Sequence, residues 1–212
     1  MANMVGAREA AAILLRIGAV SINTKSPFTY TSGLKSPIYT DNRLLISYPE
    51  ERSRVTELLA TAVVESVGLE EVEVVAGTAT AGIPFAAWLA HRLWRPMVYV
   101  RSAAKEHGRG RQIEGRLDPG QRVAVVEDLI TTGGSSLATA DALSAQGALV
   151  TCCLAIFSYG LERAARAFDE RHIPLVPLTT LRVLLQEAVA GNYIEPADVQ
   201  TVLEWSQALE RG

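Results

Sequence analysis

The run VVEDLITTGGSS, Val125 to Ser136, passes from apolar residues through two adjacent acids, Glu127 and Asp128, into hydroxyls and glycines. The preceding VAVV has the apolar, β-branched composition of a buried strand, where an isolated charge is costly. The acids must therefore stand where that strand opens on a polar cleft. With Ser135 or Ser136 opening the next helix, residues 129–134 read as the strand-to-helix loop. Glycines allow backbone N–H groups to approach an anion closely, and a helix N-terminus adds partial positive charge. The loop Thr131, Thr132, Gly133 and Gly134 thus reads as a phosphate cup. Carboxylates cannot hold that phosphate; they suit sugar hydroxyls, a magnesium ion, or a cation developing beside them. It is not a Walker loop, because no Lys follows the glycines, and it is not a G-x-G-x-x-G dinucleotide fingerprint.

Two further stretches carry anion chemistry. Between MVYV and QRVAVV lies RSAAKEHGRGRQIEGRLDPG, with Arg101, Lys105, His107, Arg109, Arg111 and Arg116 set among glycines. Composition alone describes a solvated surface loop. Beside a phosphate cup the same cluster reads as a lid that brings positive charge to a leaving diphosphate. His107 titrates near neutrality, so it reads as a binder before a proton donor. The stretch GTATAGIP, Gly77 to Pro84, follows the strand VEVV and offers backbone amides at a strand end, as a plain tight turn also would. His91 and His172 have no partner motif and read as structural.

The elements that must position these residues alternate. AREAAAILLRIG has helical spacing up to Gly18, and SPFTYTSGLKSPIYTD reads as two short strands joined around Ser32-Gly33. A helix opens at Pro49 and runs to Gly68. Then come VEVVAG as strand, IPFAAWLAHRL as helix, and PMVYVR and QRVAVVED as strands. SSLATADALSAQG is the next helix and ALVTCCLAIFSY the next strand. LERAARAFDERH, TTLRVLLQEAV and PADVQTVLEWSQALER follow as helices, with PLVPL a short strand. Strands alternating with helices of this length predict an α/β fold, a parallel sheet flanked by helices, with the N-terminal helix and hairpin forming a small hood. Ligands of such sheets bind at the carboxyl ends of the strands, where the acid pair lies.

At 212 residues the chain suffices for one such domain, and 49% hydrophobic with 20% charged residues is the balance of a globular protein. A net charge of -3 and pI near 5.7 leave no polybasic footprint, so nucleic acid is not an expected partner and any anion site must be a local patch. Cys152 and Cys153 are neighbours in an apolar strand, facing opposite sides, and suit core packing rather than a disulfide or metal. The N-terminus lacks a charged start followed by a long apolar run, and no run approaches the roughly 20 apolar residues of a membrane span. No membrane association and a cytoplasmic location are expected.

VVEDLITTGGSS resembles the phosphoribosyl-diphosphate signature of type I phosphoribosyltransferases. SPFTYTSGLKSPIYTDNR, GTATAGIP and VRSAAKEHGRGRQIEG, in that order along residues 26–136, narrow the resemblance to orotate phosphoribosyltransferases. The resemblance implies one phosphoribosyltransferase domain over 1–212, with a hood region over 1–45 and a flexible catalytic loop over 102–118. It implies Mg²⁺-dependent transfer of the 5-phosphoribosyl group from its 1-diphosphate to orotate, in pyrimidine (UMP) biosynthesis. The 5'-phosphate falls to Thr131, Thr132, Gly133, Gly134 and Ser135, with Leu129 and Ile130 in the same binding stretch, and the ribose hydroxyls to Glu127 and Asp128. The diphosphate falls to Arg101, Lys105 and His107, and to the loop Thr78, Ala79, Thr80, Ala81 and Gly82. Glu127, Asp128, Lys105 and His107 are the residues implied in catalysis. The resemblance implies Mg²⁺ held mainly through substrate, with no protein ligand fixed and Asp128 the candidate.

Orotate is implied near Thr131, Lys35, Ser36, Pro37 and Tyr39. The loop is implied to close over the active site of a partner subunit, which makes a homodimer with shared sites. Departures from the family pattern fall on Ser102, on Ala81 and on Gly160, where some members carry a basic residue; Arg163 is the nearest substitute for the last. They bear on base specificity rather than reaction class. A purine-specific relative would not be expected to carry SGLKSPIY. A non-catalytic regulator would add a DNA-binding segment or lose the basic lid.

Overall fold

The computed structural model describes residues 4–29, 33, 35–102 and 112–211. Among them the chain opens with helix α1 (Met4–Arg16), which buries one apolar face including Ala10, Ala11 and Leu14. Four short strands follow: β1 (Val20–Ile22), β2 (Phe28–Thr29), β3 (Lys35–Ser36) and β4 (Ile38–Thr40). The expected single hairpin is thus two antiparallel pairs, β2 with β3 and β1 with β4. Buried Ser36 makes the switch between them: its hydroxyl donates to the Ile38 carbonyl at 2.6 Å and accepts the Ile38 N–H at 3.2 Å. A 3₁₀ segment, Asn42–Ser47, then leads into α2 (Pro49–Ala62), with Pro at the helix start where its missing N–H costs nothing.

The remaining elements form the expected α/β core. They are β5 (Val74–Thr78), α3 (Gly82–Leu93), β6 (Met97–Val100), β7 (Ile113–Glu114), β8 (Arg122–Ile130), α4 (Gly134–Ala145), β9 (Leu149–Ser158), α5 (Glu162–Asp169), β10 (Leu175–Thr180), α6 (Leu181–Ala190) and α7 (Pro196–Arg211). The sheet order is β10-β9-β8-β5-β6-β7, parallel except for β7, which pairs antiparallel with β6. Every residue of β5 is buried, and so is the run Val123–Glu127 of β8. Since successive side chains point to opposite faces, burial of unbroken runs means that both faces are covered. Cys152 and Cys153 are buried, free members of that core.

Three differences from the sequence reading are local. The strand carrying the acids runs to Ile130, two residues beyond Asp128, because Leu129 and Ile130 keep their register with Phe157 and Ser158 of β9. The strand expected over PLVPL continues through Thr179 and Thr180 by pairing with Phe157 and Ser158, so the following helix begins at Leu181. Ile113–Glu114 forms the edge strand β7 inside 102–118, where a loop was expected, by pairing with Tyr99 and Val100.

β5 is where the chain reverses direction across the sheet. It continues outward through β6 and β7 to one edge, then returns to β8 on the other side of β5 and proceeds through β9 to β10. The loops leaving β5 and β8 therefore diverge at a topological switch point, which opens a crevice between them at the carboxyl ends of the strands.

Candidate active site

Both loops at the switch point are short and amide-rich. After β8 only Thr131, Thr132 and Gly133 intervene before α4. Gly133 has φ +80°, a left-handed conformation that favours glycine, and a Cβ there would meet the Phe168 ring at 2.6 Å. Its carbonyl accepts the Leu137 N–H at 2.9 Å, and no side chain caps the helix. The first amides of α4 are thus left pointing at the crevice. Thr132, Gly134 and Ser135 are exposed there and Thr131 is half-buried.

After β5 the loop is Ala79, Thr80 and Ala81, and Gly82 already starts α3. The Ala79–Thr80 peptide is cis. Thr78, expected in the loop, is the last strand residue, buried, with its hydroxyl oxygen unpartnered among the described residues. Gly82 is required by contact with β8: a Cβ there would run into the Val126 carbonyl. The glycine sets the spacing between the two loops.

The acid pair stands between them. Glu127 is 6% exposed. One of its carboxylate oxygens accepts the Asp128 N–H at 3.1 Å and the other the Ser136 hydroxyl at 3.2 Å. Burial, reinforced by the neighbouring Asp128 carboxylate, pushes the Glu127 carboxyl up to about 8. Burial also raises Asp128, opposed by its contacts with Glu127 and by the positive charge of Arg43. Carboxyl groups perturbed by burial and by one another in this way cluster at sites of chemistry.

Asn42 and Arg43 belong to this corner and were not singled out from sequence, although both fall in the hood stretch. Asn42 is fully buried, and its Nδ2 donates to the Asp128 carbonyl at 2.7 Å. Arg43 grips Asp41 through two bonds of 2.6 and 2.9 Å and lends its charge to Asp128. The available signal was position alone: the first polar residues after a strand that returns toward the sheet.

The other expected residues are dispersed. Ile130 is 1% exposed and its carbonyl accepts the Tyr159 N–H at 3.0 Å, so its side chain belongs to the core and does not line the cup. Leu129 packs against the core. Arg101 follows β6; its N–H donates to the Gln112 carbonyl at 3.0 Å, its carbonyl accepts the Gln112 side-chain Nε2 at 2.9 Å, and its guanidinium lies 3.9 Å from Glu114. Lys105, His107, Arg109 and Arg111 lie outside the described residues. In the hood, Lys35 and Tyr39 are exposed while Ser36 and Ile38 are buried, and the Tyr39 ring sits 5.7 Å from that of Phe28. Arg163 is in the first turn of α5, where its backbone N–H donates to Glu210 of α7 at 2.7 Å. Gly160 has φ +70° and nothing within 4 Å of where a Cβ would be.

An amide cup on a helix start, a second amide loop facing it across a switch point, and two buried acids between them are the features of an α/β enzyme with an anion-binding cleft. Comparison with known proteins agrees. The family described as "Phosphoribosyl transferase domain" matches residues 49–179. Orotate phosphoribosyltransferase from Enterococcus faecalis is 49% identical over 201 residues, covering 95% of each chain. The crystal structure of orotate phosphoribosyltransferase from Aeropyrum pernix superposes with a TM-score of 0.72 at 34% identity, covering 84% of this chain and 96% of that one. That of Mycobacterium tuberculosis orotate phosphoribosyltransferase in complex with 5-phospho-α-D-ribosyl 1-diphosphate gives 0.67 at 25% identity, covering 84% and 98%. The chain belongs to the phosphoribosyltransferase family and, within it, to the orotate phosphoribosyltransferases.

Proposed function

We propose that the protein transfers the 5-phosphoribosyl group of phosphoribosyl diphosphate to orotate, giving orotidine 5'-monophosphate and diphosphate as a step of UMP synthesis in the cytoplasm. The observation that carries this reading is the acid pair set between two amide loops at the switch point, in a chain 49% identical to a relative named for that reaction.

The amides of Thr131 to Ser135 receive the 5'-phosphate, which fixes the ribose over β8. Asp128 and Glu127 then accept from the 2' and 3' hydroxyls. The Ala79–Gly82 amides, with Arg101, Lys105 and His107, hold the diphosphate. As the bond from C1' to the diphosphate oxygen breaks, positive charge develops on the ribose and the Asp128 carboxylate beneath, with Glu127 beside it, stabilises it. A ring nitrogen of orotate, held by Lys35, Tyr39 and Thr131, forms the new bond to C1' and gives up its proton to the departing diphosphate.

The donors present fit Mg²⁺. Among the described residues no group of three or more His, Cys, Asp or Glu could enclose a metal. Two adjacent carboxylates open on one side suit an ion held by one or two protein oxygens and otherwise by substrate phosphates. Asp128 is the residue that would hold it, and a bound Mg²⁺ supplies neutralisation of charge on the leaving diphosphate. Lys105 and His107 are assigned to a loop that closes on the site of a second copy of the chain, in a homodimer. Lys105→Ala is expected to depress kcat with the melting temperature unchanged; a lost fold would make its role structural.

The direct test incubates the protein with Mg²⁺, phosphoribosyl diphosphate and orotate and follows orotate absorbance, with adenine, hypoxanthine and uracil in parallel. Loss of orotate that needs both Mg²⁺ and the diphosphate is expected. Turnover of another base instead would overturn the choice of orotate while keeping the reaction class.

A further inference from the structure

The C-terminal helix α7 has no part in the site as drawn above, yet it reaches the N-terminal segment at several points. Trp205 Nε1 donates to the Lys35 carbonyl at 2.9 Å, joining residues 170 apart in sequence. Asp198 accepts the Thr24 hydroxyl at 2.5 Å on one oxygen and the Glu195 N–H at 3.0 Å on the other, which fixes that carboxylate at the helix start. The Trp205 ring also meets Tyr159 edge-on, with centroids 5.9 Å apart, and the Tyr159 hydroxyl lies 3.3 Å from that of Thr40 at the end of β4.

These contacts link into one path. Tyr159 directly follows β9 and its N–H donates to Ile130, two residues past Asp128 on β8. From the acid strand the path runs Ile130, Tyr159, Trp205, Lys35, each step a hydrogen bond or ring contact between named atoms. Among the described residues β2 and β3 pair through Phe28 with Ser36 and Thr29 with Lys35, and a two-stranded pair is marginal by itself in water. A side chain acts at a set distance only when its backbone is held by a rigid partner.

We infer that α7 positions the base-facing hairpin, with Trp205 as the positioning residue that sets where Lys35 stands relative to the acid pair. The inference rests on the reading of Lys35 as a contact to the base. Trp205 touches no substrate in this scheme; it acts through Lys35, and its influence falls on the base alone.

The test compares wild type with Trp205→Phe, which keeps an aromatic ring and removes the N–H, and with Lys35→Ala. KM for orotate, KM for phosphoribosyl diphosphate, kcat and melting temperature are measured for each. Trp205→Phe is expected to raise KM for orotate about fivefold, the worth of one net hydrogen bond, with KM for phosphoribosyl diphosphate and melting temperature near wild type. Thr24→Val removes the second strap while leaving the ring contact, and is expected to move the same constant in the same direction. It also serves where Trp205→Phe fails to fold.

If Lys35→Ala raises KM for orotate while Trp205→Phe and Thr24→Val do not, the positioning role is overturned and the site reading stands. If Lys35→Ala leaves KM for orotate unchanged, the reading of Lys35 fails and the inference with it. A rise of both KM values in step with a lowered melting temperature would also overturn it, as α7 would then be a structural brace.

Discussion

The phosphate corner is cut from one short length of chain. Glu127, Asp128, the cup and the Ser136 hydroxyl that donates to Glu127 all lie within Val125–Ser136, on a strand, a tight turn and a helix whose packing leaves little freedom. The side proposed for the base is assembled from distant pieces, Thr24, Lys35, Thr40, Tyr159 and Trp205, held through hydrogen bonds and ring contacts between residues far apart in the chain. A contiguous corner keeps its geometry as long as the sheet exists. A gathered one can shift by the loss of one bond, and it suits the part of a site where specificity varies while the shared chemistry does not.

The comparison yields predictions of graded size. Asp128→Asn strikes the corner at its charge and is expected to lower kcat by about a hundredfold or more, with KM for phosphoribosyl diphosphate changed far less. Steady-state kinetics decide it, and an unchanged kcat would remove the role assigned to Asp128. Gly133→Ala strikes the same corner through its backbone. The left-handed φ and the Phe168 ring together make the variant less stable by about 1 to 3 kcal/mol, read by denaturant unfolding.

A pH dependence sharpens the contrast, because the hood has no buried acid pair among its described residues. Glu127, pushed up to about 8 from an ordinary value of 4.5, holds a proton in the folded protein that the unfolded chain has lost. The folded state thus binds more protons than the unfolded state between those values, so its stability falls as pH rises from about 5 to about 8 and levels off above. Melting temperatures across pH without Mg²⁺ or substrate are expected to show that decline, and Glu127→Gln to flatten it, apart from what Asp128 adds in the same direction. An equal slope in the variant would contradict it. The smallest effect is expected from Ser136→Ala, which removes one donor to Glu127 and costs about 1 kcal/mol of stability, with the midpoint of the same pH profile moved upward.

The corner was legible in the sequence for the reason that makes it rigid. Apolar β-branched residues ending in two acids and small residues is a local pattern, and only its boundary slipped: Leu129 and Ile130 read as loop because they precede the hydroxyls, whereas pairing with β9 keeps them in the strand. Gly82 was marked for its amide, but its contact with the Val126 carbonyl needed the fold to be seen. The hood was legible as a helix and an alternating hairpin, without the contacts that hold it. No periodicity shows that Ser36 divides one hairpin into two, that Asn42 reaches the Asp128 carbonyl, or that Trp205 turns its N–H to Lys35. Such contacts join residues far apart in sequence, and local patterns do not record them.

The measurement that most directly tests the division of labour is calorimetric titration of phosphoribosyl diphosphate with Mg²⁺, in the absence of base, into wild type, Gly134→Ala and Lys35→Ala. A Cβ at Gly134 meets nothing nearer than the Thr132 hydroxyl oxygen at 3.8 Å, so that variant keeps its fold while placing a methyl group in the cup. The account predicts that Gly134→Ala weakens binding by about tenfold or more and that Lys35→Ala binds as wild type does. Undiminished binding by Gly134→Ala, with binding lost in Lys35→Ala, would contradict it and move the phosphoribosyl site to the hood.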